Sequence, residues 1–117
     1  MVFEFFLGGY GQSNFWVNLQ DGQLFFEEGY SGLRLHEATA IPLAGTKEWP
    51  ELEAFLTNCR WKKRYDSPIL DGTQWELKLK TATRSLKCYG SNAYPPDFYH
   101  FLTLLNHCLK TAGRQIT

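Results

Sequence analysis

The chain has 117 residues, 44% of them hydrophobic and 16% aromatic, and its formal net charge is zero. That length fits one domain, 1–117, able to bury roughly two thirds of its unfolded surface, and the composition excludes a disordered chain. No apolar run reaches the ~18 residues of a membrane span. The apolar start from Met1 to Leu7 has no basic segment and breaks at Gly8, Gly9 and Gly11, so neither a membrane anchor nor a secretory signal is expected. The three cysteines, Cys59, Cys88 and Cys108, are odd in number and form no CxxC pair, which suits reduced thiols and a cytoplasmic protein.

Val2 to Leu7 reads as a first strand, with Phe3, Phe5 and Leu7 on one face and Glu4 on the other. The glycine-rich stretch that follows, GGYGQSN, has neither GxGxxG nor GxxxxGK[ST] spacing and leads into a strand, so it reads as a hairpin loop and not as a phosphate cradle. Phe15–Gln20 and Gln23–Glu28 flank Asp21-Gly22, a type I′ turn signal that sets Leu19 against Leu24 and Val17 against Phe26. The other face of this hairpin then carries Trp16, Asn18, Phe25 and Glu27. Leu33, Leu35, Thr39, Ile41 and Leu43 alternate with Arg34, His36 and Ala40 as a fourth strand that Pro42 ends or places at an edge.

Lys47 to Cys59 reads as a helix, with Pro50 in its first turn and a stripe of Trp49, Leu52, Phe55, Leu56 and Cys59. The extended segment RWKKRY, 60–65, leads to a turn at Asp66-Ser67-Pro68, and Asp71-Gly72 opens the clearest unit in the chain. There Trp75, Leu77 and Leu79 alternate with Glu76, Lys78 and Lys80. A turn at Ala82-Thr83 sets Leu79 opposite Leu86, Leu77 opposite Cys88 and Trp75 opposite Gly90, where an indole can cover the bare glycine backbone. Pro95 and Pro96 suit a helix first turn and Asp97 supplies negative charge there. Phe98, Phe101, Leu102, Leu105, Cys108, Leu109 and Ala112 then recur at helical spacing until Gly113. Strands in runs, each run followed by one helix, imply an α+β fold: an antiparallel sheet of six to seven strands with two helices packed on one face.

GGYG, WKKRY, LDGTQWELKL and YGSNAYPPDFYHFL together resemble a widespread family of small, mostly bacterial proteins that share a WKxxY, DGTQW and GSNAYP pattern. The resemblance spans nearly the whole chain and implies a single compact cytoplasmic domain; it brings no catalytic residue with it. In physical terms Gly90, Asn92 and Pro95 would shape the bend between strand and helix, with Trp75 beneath it.

Chemistry is sparse. His100 and His107 lie two helical turns apart, too far to share one ion, and His36 has no partner at ligand spacing, so no metal and no cofactor is expected. The cysteines fall on apolar stripes, Asp66, Asp71 and Asp97 have turn or helix-start roles, and no serine has a GxSxG context, so the chain does not read as an enzyme. Charge is divided between the halves: residues 1–57 hold eight acids and two bases, and 58–117 hold ten bases and four acids.

If the helices cover one sheet face, the other presents Trp16, Phe25 and Tyr89 beside Glu27, Glu76, Lys78 and Lys87, with Lys78 directly across from Lys87. Like charges there cost up to about 1 kcal/mol. Aromatic anchors among mixed charges point to another protein as partner, in a regulatory or bacterial immunity-type role. The competing expectation is single-stranded nucleic acid bound through Trp61, Lys62, Lys63, Arg64, Lys78 and Lys87. A sequence pI near 6.8 and the acids Glu4, Glu27 and Glu76 on the same face weigh against it. The sequence gives no indication of oligomeric state.

Overall fold

The computed structural model describes residues 1–35, 37–68 and 72–116. His36 and Asp71, raised above as a titratable side chain and a turn residue, lie outside the described residues. In chain order the elements are β1 (Val2–Gly8), β2 (Ser13–Gln20), β3 (Gln23–Tyr30), β4 (Leu33–Arg34), β5 (Thr39–Pro42), α1 (Glu48–Thr57), β6 (Arg64–Asp66), β7 (Gln74–Lys80), β8 (Ser85–Ser91) and α2 (Phe98–Lys110). They build one eight-stranded sheet, ordered β4-β3-β2-β1-β7-β8-β6, with β5 also paired to β3. Every pairing is antiparallel except β6 with β8. The α+β class with two helices on one face stands; the sheet has slightly more strands than expected.

Local chemistry sets both well-read hairpins. Asp21 and Gly22 have φ of 52° and 74°, as a type I′ turn requires, and Leu19↔Leu24 and Val17↔Phe26 are the observed partners. Across β7 and β8 the register is Leu79↔Leu86, Lys78↔Lys87, Leu77↔Cys88 and Trp75↔Gly90. The fourth strand is the main departure. It divides into β4 and β5, both on β3; Leu33 and Leu35 remain 70% and 59% exposed, while Ile41 and Leu43 join the core.

The two halves of the chain meet where β1 pairs with β7 from Val2↔Lys80 to Gly8↔Gln74. This places Phe3, Phe5, Leu7, Val17, Leu77 and Leu79 on one face, all buried, and α2 seats Phe98, Phe101 and Leu105 against them while α1 adds Leu52 and Leu56. Phe101 meets Phe5 at 4.9 Å and Phe3 at 6.3 Å between centroids. Helix α2 ends in a Schellman motif: Gly113 has φ of 70°, its N–H donates to Lys110 O, and Arg114 N–H donates to Leu109 O.

The bend after β8 is held by an aromatic cluster. Trp75 donates from Nε1 to the Ala93 carbonyl at 2.9 Å, and Trp61 stands edge-on to it at 5.3 Å. Asp97 does not cap its own helix; its Oδ1 accepts the Trp61 indole N–H at 2.7 Å. A Cβ on Gly90 would collide with Trp75 Nε1 and lie 2.6 Å from the Ala93 oxygen. Gly90→Ala is therefore expected to destabilise the fold by about 1–3 kcal/mol, the usual cost of overpacking. Urea unfolding measures it, and an unchanged midpoint would show that the bend does not depend on this contact.

Candidate functional site

The sheet face opposite the helices carries the candidate site. One cross-strand row runs Glu27, Trp16, Phe6, Glu76, Tyr89, Arg64 over six strands, and the next runs Phe25, Asn18, Glu4, Lys78, Lys87. All seven residues expected on this face are on it. Trp16 is half-buried, with Phe6 5.5 Å from one side of its ring and the Arg34 guanidinium over it at 4.8 Å. Arg34 Nε in turn pairs with Glu27 Oε2 at 3.1 Å, so β4, only two residues long, closes the edge of the tryptophan site. Tyr89 is 39% exposed beneath the Arg64 guanidinium at 5.1 Å, and Arg64 pairs with Asp66.

A depression of about 360 Å³ lies between these groups, lined by Glu4, Phe6, Trp16, Arg34, Glu76, Lys78 and Lys87. Trp16, Glu76, Lys78 and Lys87 meet around it. Phe25 does not line it; it lies half-buried beside Asn18 and Ala40 on the β3 side. Sequence reasoning missed Phe6 and Arg34. The parity of VFEFFL already put Phe6 on the face of Glu4, whereas nothing local marks Arg34, whose role comes from β4 folding back beside β3. Lys78 Nζ reaches Glu4 Oε2 at 3.6 Å across the β1–β7 seam, a contact between two exposed groups that screening leaves weak. Among the described residues no carboxylate pairs with Lys87.

The basic and aromatic segment 60–65 divides its side chains. Trp61 is buried in the core and Tyr65 is half-buried 5.8 Å from Trp75, with its hydroxyl accepting the Lys62 N–H. Only Arg60, Lys62, Lys63 and Arg64 face water. Trp61 is therefore not exposed for stacking on bases, and Tyr65 is exposed only in part.

On the helix side a shallow groove of about 510 Å³ gathers Glu51, Phe55, Cys59, Asp97 and His100. Its groups are engaged elsewhere: His100 stands edge-on to Phe55 at 5.7 Å, Asp97 holds the Trp61 indole, and burial raises the Cys59 thiol above its ordinary value. Among the described residues no group of three or more His, Cys, Asp or Glu side chains is placed to hold a metal ion. No helix among the described residues is long and apolar enough to cross a membrane. No family model, curated protein or solved structure matches this chain.

All three cysteines are free and buried. Burial pushes the Cys88 thiol up to about 11, with Cys59 adding to the rise, and Cys108 likewise to about 11, with Glu48 and Glu51 adding. The unfolded chain would lose these protons near the ordinary value of 9.0, while the native chain holds them to about 11. Their contribution to stability is thus complete below pH 9 and is lost as pH rises from about 9 to about 11. Urea midpoints should fall across that window, and fall less steeply in a Cys88→Ala/Cys108→Ala variant; parallel slopes in the two proteins would assign the decline to other groups.

Proposed function

We propose that this chain is a small non-enzymatic protein-binding domain that engages its partner through the open sheet face. The observation that carries the reading is Trp16, held half-exposed between Phe6 and Arg34 at the wall of a depression ringed by Glu4, Glu76, Lys78 and Lys87. A large ring fixed in place loses little conformational freedom on binding, and aromatic side chains with arginine dominate interface energetics. Mixed charges around it orient a partner and exclude wrong ones. Tyr89 beneath Arg64 supplies a second anchor along the same row. An immunity-type or regulatory role suits a domain of this size and the family that its WKxxY, DGTQW and GSNAYP segments resemble, and buried free thiols suit the reducing cytoplasm.

Single-stranded nucleic acid is the second reading. The basic corner formed by Lys63, Lys78, Lys80 and Lys87 favours it. The burial of Trp61 and the engagement of Tyr65 oppose it, because sequence-tolerant binding of single strands draws much of its energy from base stacking.

Recovery of a stoichiometric partner from native lysate on the immobilised chain tests the leading reading. Trp16→Ala is expected to lower that recovery by a hot-spot margin, about 2 kcal/mol or roughly thirtyfold in affinity, with the unfolding midpoint checked separately. Tyr99→Ala, exposed on α2, serves as the control and should change nothing. Equal recovery with Trp16→Ala and the unaltered chain would remove the sheet face as the binding surface, and a partner released by nuclease treatment would transfer the assignment to nucleic acid.

A further inference from the structure

We propose that the open edge of β8 accepts an extended acidic segment of another protein as an added strand. The inference rests on the protein-binding reading above and uses the strand edge beside that face, with Lys78, Lys87 and Tyr89 common to both. Tyr89 donates its N–H to Lys63 O at 3.0 Å, so its backbone polar groups point toward the β6 side. Alternation along the strand turns those of Lys87 and Ser85 the same way, and the turn bond from Thr81 N–H to Arg84 O at 2.8 Å confirms the parity, because Arg84 faces β7. Strand β6 pairs only with Tyr89, Gly90 and Ser91. Two exposed residues, Ser85 and Lys87, are therefore left with outward N–H and C=O groups that no hydrogen bond reaches among the described residues.

A trough of about 870 Å³ runs from Val2 across the ends of β7 and β8 to Lys63, with Lys80, Lys87 and Tyr89 along it. Among the described residues no carboxylate pairs with Lys63, Lys80 or Lys87; Lys78 alone has one, Glu4. An added strand alternates its side chains between the two faces. One set would meet the lysines, and the other would lie beside half-buried Leu86 on the helix side. Alternating acidic and apolar residues match both. A second copy of this chain does not, since antiparallel pairing of two β8 edges would gather the lysines of both on one face, a usual guard against self-association.

Titrating the isotope-labelled full chain with an alternating glutamate–valine peptide tests this. The Ser85 and Lys87 amides, open in the free protein, should become protected by roughly tenfold or more in exchange. Lys87→Pro deletes one outward N–H without touching the β7 ladder and should weaken the peptide by about tenfold, equivalent to 1.4 kcal/mol. Lys80→Glu with Lys87→Glu should abolish binding, as should ~1 M salt, where the screening length falls to about 3 Å. Trp16→Ala should leave the peptide affinity unchanged, which separates this site from the sheet-face site. The proposal is overturned by any of four results: no peptide binding, binding that leaves both amides exchanging as before, an oligonucleotide that displaces the peptide without protecting them, or self-association of the free chain at this edge. Loss of this site with Trp16-dependent partner recovery intact would leave the sheet-face reading standing.

Discussion

The Trp75 indole laid over Gly90 is the contact on which the rest of the molecule depends. It joins two strands of one hairpin, and its hydrogen bond to Ala93 fixes where the chain leaves the sheet for α2. Phe98 from that helix approaches the same ring at 5.2 Å, Trp61 at 5.3 Å and Tyr65 at 5.8 Å. Three stretches of the chain, 61–65, the strand at Trp75 and 90–98, thus share one aromatic centre. The segments WKxxY, DGTQW and GSNAYP are parts of this single packing unit: Trp61 and Tyr65 come from the first, Trp75 from the second, Gly90 and buried Pro95 from the third. Their most distinctive side chains point inward, and whatever the protein recognises must be met by the surface they leave free.

Much of the fold was legible because local rules agreed with one another. Period-two alternation fixed both hairpins, joined at Asp21-Gly22 by the backbone signs of the turn, and a one-residue slip in either would have turned a whole apolar set toward water. What could not be read were pairings without a local determinant. The β1–β7 seam joins residues about seventy apart, and β6 takes its place parallel to β8 through a connection that no turn motif announces. The alternation from Leu33 to Leu43 was real but misleading. A continuous pattern specifies which face a side chain takes, and says nothing about whether a helix will cover that end of the sheet. Asp97 does stand at the start of α2, where its charge suits the helix dipole, but local pattern could not show that its carboxylate would also serve as acceptor for the Trp61 indole N–H.

The candidate site was half legible on the same grounds. Strand parity alone put Trp16, Phe25, Glu27, Glu76, Lys78, Lys87 and Tyr89 on one face. It could not tell that Phe6 and Arg34 would bracket Trp16, or that Phe25 would stand apart from the depression. Those facts depend on which strands become neighbours, and β4 becomes the neighbour of β3 only through a short return. Sequence pattern assigns faces; topology assigns company.

Both ends of the row from Glu27 to Arg64 use the same device, an arginine over an aromatic ring, Arg34 on Trp16 and Arg64 on Tyr89. Cation–π contacts at exposed positions stabilise by only about 0.5–1 kcal/mol, too little for the fold to require them. Their effect is to restrict the rings, and a ring already restricted gives up less entropy when a partner closes over it. Between those anchors Lys78 and Lys87 face each other across two strands, and only Lys78 has a carboxylate nearby among the described residues. Fixed rings and a lysine that no carboxylate pairs with among the described residues are together what the proposed binding surface would retain.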